Sequence, residues 1–201
     1  PLSMSHGDAF KPDLNTSDIK ASYTKHHFQR RLKAMYPMGA LSVSAYLKKR
    51  IPDINIKMID LNSVLINRDL TKISGPQEYK LENLIEESFS MVQGFIPDII
   101  GISALWTTVF GDLKPLASFL RKHYPDSLII CGGHLATTVY KNIYNEEMSI
   151  DALCFGEGEI PFYELAEAVS TGQENGYLAS SSCWITKEKA MLLLHNYMST
   201  Y

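Results

Sequence analysis

The residues best suited to hold a ligand stand in three places, each just after a short apolar run. The first is Gly101-Ile102-Ser103-Ala104-Leu105, the second Gly132-Gly133-His134, and the third Gly156-Glu157-Gly158-Glu159. A serine hydroxyl such as that of Ser103 both donates and accepts a hydrogen bond. Glycines allow unusual backbone angles and let a ligand approach the main chain closely. Backbone N–H groups at the start of a helix opening at Glu159 suit a polar ligand group. Trp106 follows Ser103 closely and offers either a wall for a flat ligand or a core side chain.

Each feature has a plain alternative. A glycine after a strand is often only a turn residue, and Ser103 could cap the helix that follows. Three such ends in order along one chain make coincidence the weaker reading. His134 invites a metal-ligand or general-base role, but the sequence places no partner beside it, so a structural or exposed histidine is favoured. His26-His27 is weaker still, since adjacent helical residues point in different directions. Glu157 and Glu159 are an acid–base pair or, the favoured reading, charges matched to a helix N-terminus. No Gly-x-Gly-x-x-Gly follows a strand and there is no Gly-Lys-Ser/Thr loop, which disfavours nicotinamide cofactors and ATP.

Four apolar runs must carry these segments: Ile54 to Leu61, Asp98 to Ser103, Ser127 to Cys131 and Asp151 to Phe155. Each is short and bounded by Gly, Pro, Asp or Asn, as buried strands are. Amphipathic helical patterns alternate with them. Met38 to Arg50 sets Leu41, Ala45 and Leu47 on one side, and Pro76 to Phe95 aligns Leu81, Leu84, Ile85, Phe89 and Val92. Leu113 to His123, Thr137 to Glu147 and Glu159 to Thr171 complete the series. This alternation predicts an α/β domain with a Rossmann-like (flavodoxin-like) open parallel sheet and helices on both faces. Right-handed crossovers then bring the strand ends to one edge, where ligands of such sheets bind.

The ends depart from the pattern. Residues 1–35 read as a loop and a polar helix, as if cropped before a first strand. Residues 36–172 form the α/β domain, and residues 173–201 read as a linker with a C-terminal β-hairpin, Gly176 to Trp184 and Ala190 to His195. The net charge of -3 and the scattered basic residues exclude a nucleic-acid footprint. No run is long enough to span a membrane, and the N-terminus is not a signal peptide. The 3 cysteines, Cys131, Cys154 and Cys183, are odd in number and widely spaced, so neither a disulfide framework nor a Cys-x-x-Cys site is expected. Buried thiols in a reducing cytoplasm fit best.

Together these segments resemble a known family. Tyr36-Pro37-Met38-Gly39-Ala40-Leu41 with Ser44-Ala45-Tyr46-Leu47 is similar to the first helix of the cobalamin-binding domain that precedes radical SAM catalytic domains. Ile59-Asp60-Leu61 and Pro97-Asp98-Ile99-Ile100-Gly101-Ile102-Ser103 resemble its second and third strands. Gly132-Gly133-His134-Leu135-Ala136-Thr137 looks like its Gly-Gly-x-His-Ala-Thr strand end without the intervening residue. Asp151 followed by Gly156-Glu157-Gly158-Glu159 is similar to its last strand and turn. The resemblance runs from Tyr36 to Thr171 and extends to the anaerobic magnesium-protoporphyrin ester cyclases and cobalamin-dependent methyltransferases.

The resemblance implies a five-stranded sheet with cobalamin on its C-terminal edge. Its tail would thread past Ser103-Ala104-Leu105 and Gly132-Gly133, with Trp106, His134, Gly156, Glu157 and Gly158 as further cofactor contacts. The Asp-x-His-x-x-Gly motif that supplies an axial histidine is missing; Ser5-His6-Gly7-Asp8 does not match it. The implied site is therefore base-off and histidine-off, with no metal ligand and no catalytic residue from this chain. S-adenosylmethionine and an iron–sulfur cluster, [4Fe-4S], would belong to a radical SAM partner domain of a longer chain, because no Cys-x-x-x-Cys-x-x-Cys occurs here. The expected function is a non-catalytic cofactor module for methyl transfer or tetrapyrrole ring chemistry. Two alternatives stand: a degenerate structural or interaction domain without cobalamin, and a flavodoxin-like flavin or nucleotide module.

Overall fold

The structure, a computed structural model, describes residues 36–67, 81–105, 109–146 and 148–190. Three helices come first: α1 (Met38–Arg50), α2 (Leu61–Asn67) and α3 (Leu81–Ser90). Strands and helices then alternate as β1 (Ile99–Ser103), α4 (Phe110–His123), β2 (Leu128–Gly132), α5 (His134–Asn145), β3 (Ala152–Cys154) and α6 (Glu159–Ser170). Helix α7 (Glu174–Ser180) and strand β4 (Trp184–Thr186) follow. The sheet order is β1-β2-β3-β4, with β1, β2 and β3 parallel and β4 antiparallel to β3.

The central strand explains why the sheet is covered on both faces. Leu-Ile-Ile-Cys in β2 is a continuous apolar run, as parallel strands buried on two sides require. Side chains alternate across the sheet. Ile129, Cys131, Leu153 and Ile185 join one core with Leu113, Ala117 and Leu120 of α4 and Leu135, Ala136 and Ile143 of α5. Ile130, Ala152, Cys154 and Trp184 join the other with Leu165 of α6 and Leu178 of α7. Phe89 of α3 packs on Phe119 of α4 at 5.4 Å between ring centroids, which seats α3 on the first core.

The N-terminal edge of the strands is clamped by one carboxylate. Asp151 Oδ2 accepts from Arg121 Nη2 at 2.6 Å and from the Ile129 amide at 2.7 Å. Arg121 Nη1 also donates to the carbonyls of Pro125 and Ser127. The clamp ties α4, β2 and the start of β3 together, so the opposite edge is presented on a fixed frame.

The described residues depart from the expectations at four points. Residues 54–60 form no ladder; the segment stops at Asp60, whose carboxylate accepts from the Asn62 amide and the Ser63 hydroxyl and so caps α2, which opens at Leu61. The expected hairpin is replaced within the described residues. Gly176 lies in helix α7, β4 takes β3 as its partner, and residues 187–190 are helical; the rest of the second arm lies outside the described residues. Among the described residues the sheet has four strands rather than five. In α1, Leu41 and Ala45 are exposed, because the face that meets α6 runs through Val43, Tyr46 and Leu47. The loop and polar helix expected in residues 1–35 lie outside the described residues, as does Trp106.

Candidate functional site

The C-terminal strand edge is built from the main chain outward. Ser103 and Gly132 are register partners at the ends of β1 and β2. The ladder continues past them: the Ala104 amide donates to the Gly132 carbonyl at 2.9 Å, and the Leu135 amide donates to the Ala104 carbonyl at 3.1 Å. Gly133 lies between these bonds with φ 96°, a backbone conformation that favours glycine. A Cβ there would fall 2.6 Å from the Ala104 oxygen. The close approach of Ala104 to Gly133 therefore demands glycine for the fold itself.

Gly132 differs. It has no positive φ, and a Cβ would meet only Cys154 Cβ at 3.5 Å, an ordinary contact. The protein has room for a methyl group here and leaves that space open. By the two-residue alternation of a strand, Ser103 shares its face with Gly101. A Cβ on Gly101 would lie 2.9 Å from Phe162 Cε2 of α6. Ser103, Gly132 and Cys154 therefore form a row on the α6 side of the sheet, with Phe162 one step below. Ser103 is exposed, and among the described residues its hydroxyl makes no hydrogen bond. It does not cap α4, which starts at Phe110 after Val109.

The β3–α6 connection closes this side. Gly156 has φ 77° and open space around its Cα, and Glu157 is exposed. A Cβ on Gly158 would lie 3.3 Å from Val43 Cγ2 of α1. Glu159, the first residue of α6, accepts from Ser42 Oγ of α1 at 2.6 Å. That hydrogen bond, with the amide at its own helix terminus, holds the Glu159 carboxyl below its ordinary pKa. For Glu159 the acid–base reading gives way to a helix-terminal latch. Cys154 is the buried member of the row, and loss of hydration raises its thiol to about 12.

The remaining sequence-predicted residues sit around this row. His134 is exposed at the start of α5, where its neighbour is Thr138. Leu105 is 50% exposed beyond β1. No group of three His, Cys, Asp or Glu side chains among the described residues gathers closely enough to hold a metal ion. Two clefts among the described residues lie elsewhere: one of about 410 Å³ beside Met58, Val64 and Met91, and one of about 290 Å³ at the opposite strand edge around Arg121 and Asp151. The C-terminal edge is an open surface by comparison.

Residues 30–166 match the family model described as the B12 binding domain. The chain belongs to the B12-binding domain family. Its open, mostly parallel sheet flanked by helices is the Rossmann-like, flavodoxin-like fold of that family. Over 84 residues, 42% of the chain, it is 32% identical to an uncharacterized methyltransferase of Pyrococcus horikoshii, covering 18% of that protein. Over 87 residues, 43% of the chain, it is 30% identical to the anaerobic magnesium-protoporphyrin IX monomethyl ester cyclase of Rubrivivax gelatinosus, covering 15% of it. The chain thus matches less than a fifth of either relative's length.

The edge of this B12-binding domain fits cobalamin on steric and chemical grounds. Gly132 leaves open a space that the fold does not itself fill, and the Ser103 hydroxyl beside it lacks a protein partner among the described residues. Phe162 lies on the apolar face of α6 and packs against the second core, as its periodicity predicts; sequence reasoning missed its close approach to Gly101 and the Ser42–Glu159 latch. The interior strand glycine Gly101 was the available signal for Phe162, since glycine within a strand often marks a close approach. Nothing in the sequence pattern pairs Ser42 with a residue 117 positions away.

Proposed function

We propose that this chain is the corrinoid-holding module of a larger radical SAM enzyme, and that it binds cobalamin base-off and histidine-off. The observation that carries the reading is the difference between the paired glycines: Gly133 serves the fold, while Gly132 leaves a space beside the Ser103 hydroxyl, which has no protein partner among the described residues. In this reading Ser103 hydrogen-bonds the benzimidazole nitrogen of the tail, and Gly132 gives the tail room to pass. Leu105, His134, Gly156, Glu157 and Gly158 border the entrance, with Trp106 in the segment after Leu105. Bound cobalamin supplies a cobalt that accepts and hands on a methyl group, and the protein supplies orientation.

No Asp-x-His-x-x-Gly occurs in the sequence, which supports a lower cobalt face free of a protein histidine. The names of the two relatives support methyl transfer or tetrapyrrole ring chemistry in the full-length protein. Residues 173–201 would lead towards a catalytic domain that holds S-adenosylmethionine and a [4Fe-4S] cluster, in a cytoplasmic setting that keeps the three thiols reduced.

The test mixes the purified chain with hydroxocobalamin, removes free ligand and records the retained corrin spectrum. A retained base-off spectrum is expected. After reduction, the electron paramagnetic resonance signal should lack splitting from an axial nitrogen. Absence of retained corrin at saturating ligand, or a nitrogen-split signal, counts against the reading. Retention of flavin instead would favour a flavodoxin-like module.

A further inference from the structure

The flank formed by α2 and α3 carries a cleft of about 410 Å³ that has no part in the function proposed above. Its walls are largely apolar: Met58 ahead of α2, Val64 within α2, and Met91 with Val92 just past α3. Met91 is 66% exposed and Met58 40%. Methionine adapts its shape readily and recurs on surfaces that receive a partner's apolar side chains. Two carboxylates, Asp60 and Glu87, stand in the same walls, and no lysine or arginine does. Helix α3 extends this charge with Glu82 and Glu86, both exposed, and contains no basic residue.

An occupant matched to this cleft brings a short apolar ridge flanked by positive charge. The chain itself carries such a stretch outside the described residues. Residues 24–35 read Thr-Lys-His-His-Phe-Gln-Arg-Arg-Leu-Lys-Ala-Met. Phe28, Leu32 and Met35 stand at i, i+4 and i+7, the spacing of an apolar helix face. Lys25, Arg30, Arg31 and Lys33 surround them, and no acidic residue interrupts. The other long stretches outside the described residues fit less well. Residues 68–80 mix both signs of charge around Gly75-Pro76, and residues 191–201 hold no lysine or arginine.

We infer that residues 24–35 form a basic helical clasp on this cleft, with Phe28, Leu32 and Met35 against Met58, Val64 and Met91 and the basic side chains towards Asp60 and Glu87. A twelve-residue helix spans about 18 Å, and packed helix axes lie about 8–10 Å apart, so one such segment can bridge α2 and α3. The clasp ends at Met35, just before α1, and the chain that leaves α1 reaches the cleft at Met58. Helix α1 packs on α6 through Tyr46 and Tyr163, whereas α3 packs on α4 through Phe89 and Phe119. The clasp therefore ties the entry to α1, on one side of the sheet, to the helices on the other. It does not depend on the corrinoid reading.

The experiment follows amide exchange by mass spectrometry on the full 201-residue chain. Residues 24–35 should exchange at least about tenfold more slowly than an unstructured peptide of that sequence. Met91→Lys places a charge in the apolar wall at an exposed position and should quicken exchange there about tenfold, with β2 unchanged. Met58→Lys should do the same and serves if Met91→Lys disturbs α3. Added salt should quicken exchange of residues 24–35 in the wild type and do so less in Glu87→Gln. Unprotected residues 24–35 in the wild type overturn the inference. So does protection that neither lysine variant moves, since the segment then seats elsewhere. Protection that rises with protein concentration alongside a dimer in sedimentation also overturns it, because the cleft is then filled by a second copy.

Discussion

The carbonyl oxygen of Ala104 occupies the place where Gly133 would carry its Cβ, at 2.6 Å. The neighbouring glycine, Gly132, meets only Cys154 Cβ at 3.5 Å. One glycine is thus required by the fold and the other is not. Gly133→Ala must both adopt φ 96° and displace main chain. It should lower stability by about 1–3 kcal/mol in urea unfolding. Gly132→Ala should leave the midpoint within roughly 0.5 kcal/mol of wild type while lowering cobalamin retention, as measured by corrin absorbance after gel filtration.

The Asp151 clamp yields a second expectation. Asp151→Ala removes the acceptor for both Arg121 and the Ile129 amide. The Asp151 side chain is 37% exposed and that of Arg121 30%, so water offsets part of the loss. A cost of about 1–2 kcal/mol is expected, with Asp151→Asn restoring much of it because its amide oxygen still accepts. Both values follow from equilibrium denaturation.

Lys189 binds the C-terminal part of the chain. Its ammonium donates to the carbonyls of Leu178 and Ser181 at 2.6 Å each and to that of Trp184 at 3.2 Å. Lys189→Met keeps the apolar stem and removes all three bonds. Amide exchange should quicken in α7 and β4 before it does in β2, as hydrogen-exchange mass spectrometry would show.

Alkaline stability follows from the buried thiols. Burial and then the neighbouring Cys154 push Cys131 to about 12; burial and then Cys183 do the same for Cys154. Burial also raises the Tyr144 phenol, which donates to the Ile185 carbonyl. In the unfolded chain a thiol titrates near 8.5. Their stabilising contribution is complete below that pH and is lost as pH rises towards 12, because only the unfolded chain releases the protons. The slope is roughly 1.4 kcal/mol per pH unit for each fully shifted group. Cys131→Ala with Cys154→Ala should flatten the decline between about pH 9 and 11, leaving the Tyr144 part.

Much of this architecture was legible in the sequence, because it rests on periodicity. Met38 to Arg50 repeats enough apolar positions to mark α1, and the run ending at Gly132 marks a strand buried on both faces. The segment at 54–60 misled for a physical reason. Its apolar residues alternate as a strand's do, but a ladder needs a partner, and Asp60 turns the chain into α2 instead. Gly176 to Trp184 misled differently. Its middle reads as well for a short helix as for a strand, and the Lys189 bonds to the end of α7 come from beyond the local pattern. At the site, the Gly-Gly pair was visible as a motif, but the different demands on its members appear only when Ala104 and Cys154 are set beside them.

The glycines also differ in how heredity can revise them. At Gly101 the obstacle to a methyl group is the ring of Phe162, and a second change can shrink a ring. At Gly133 the obstacle is a peptide carbonyl, which every amino acid carries. No codon change elsewhere makes that oxygen smaller. Related chains should therefore exchange residues 101 and 162 in concert, while position 133 stays closed to substitution whatever the strand edge comes to hold.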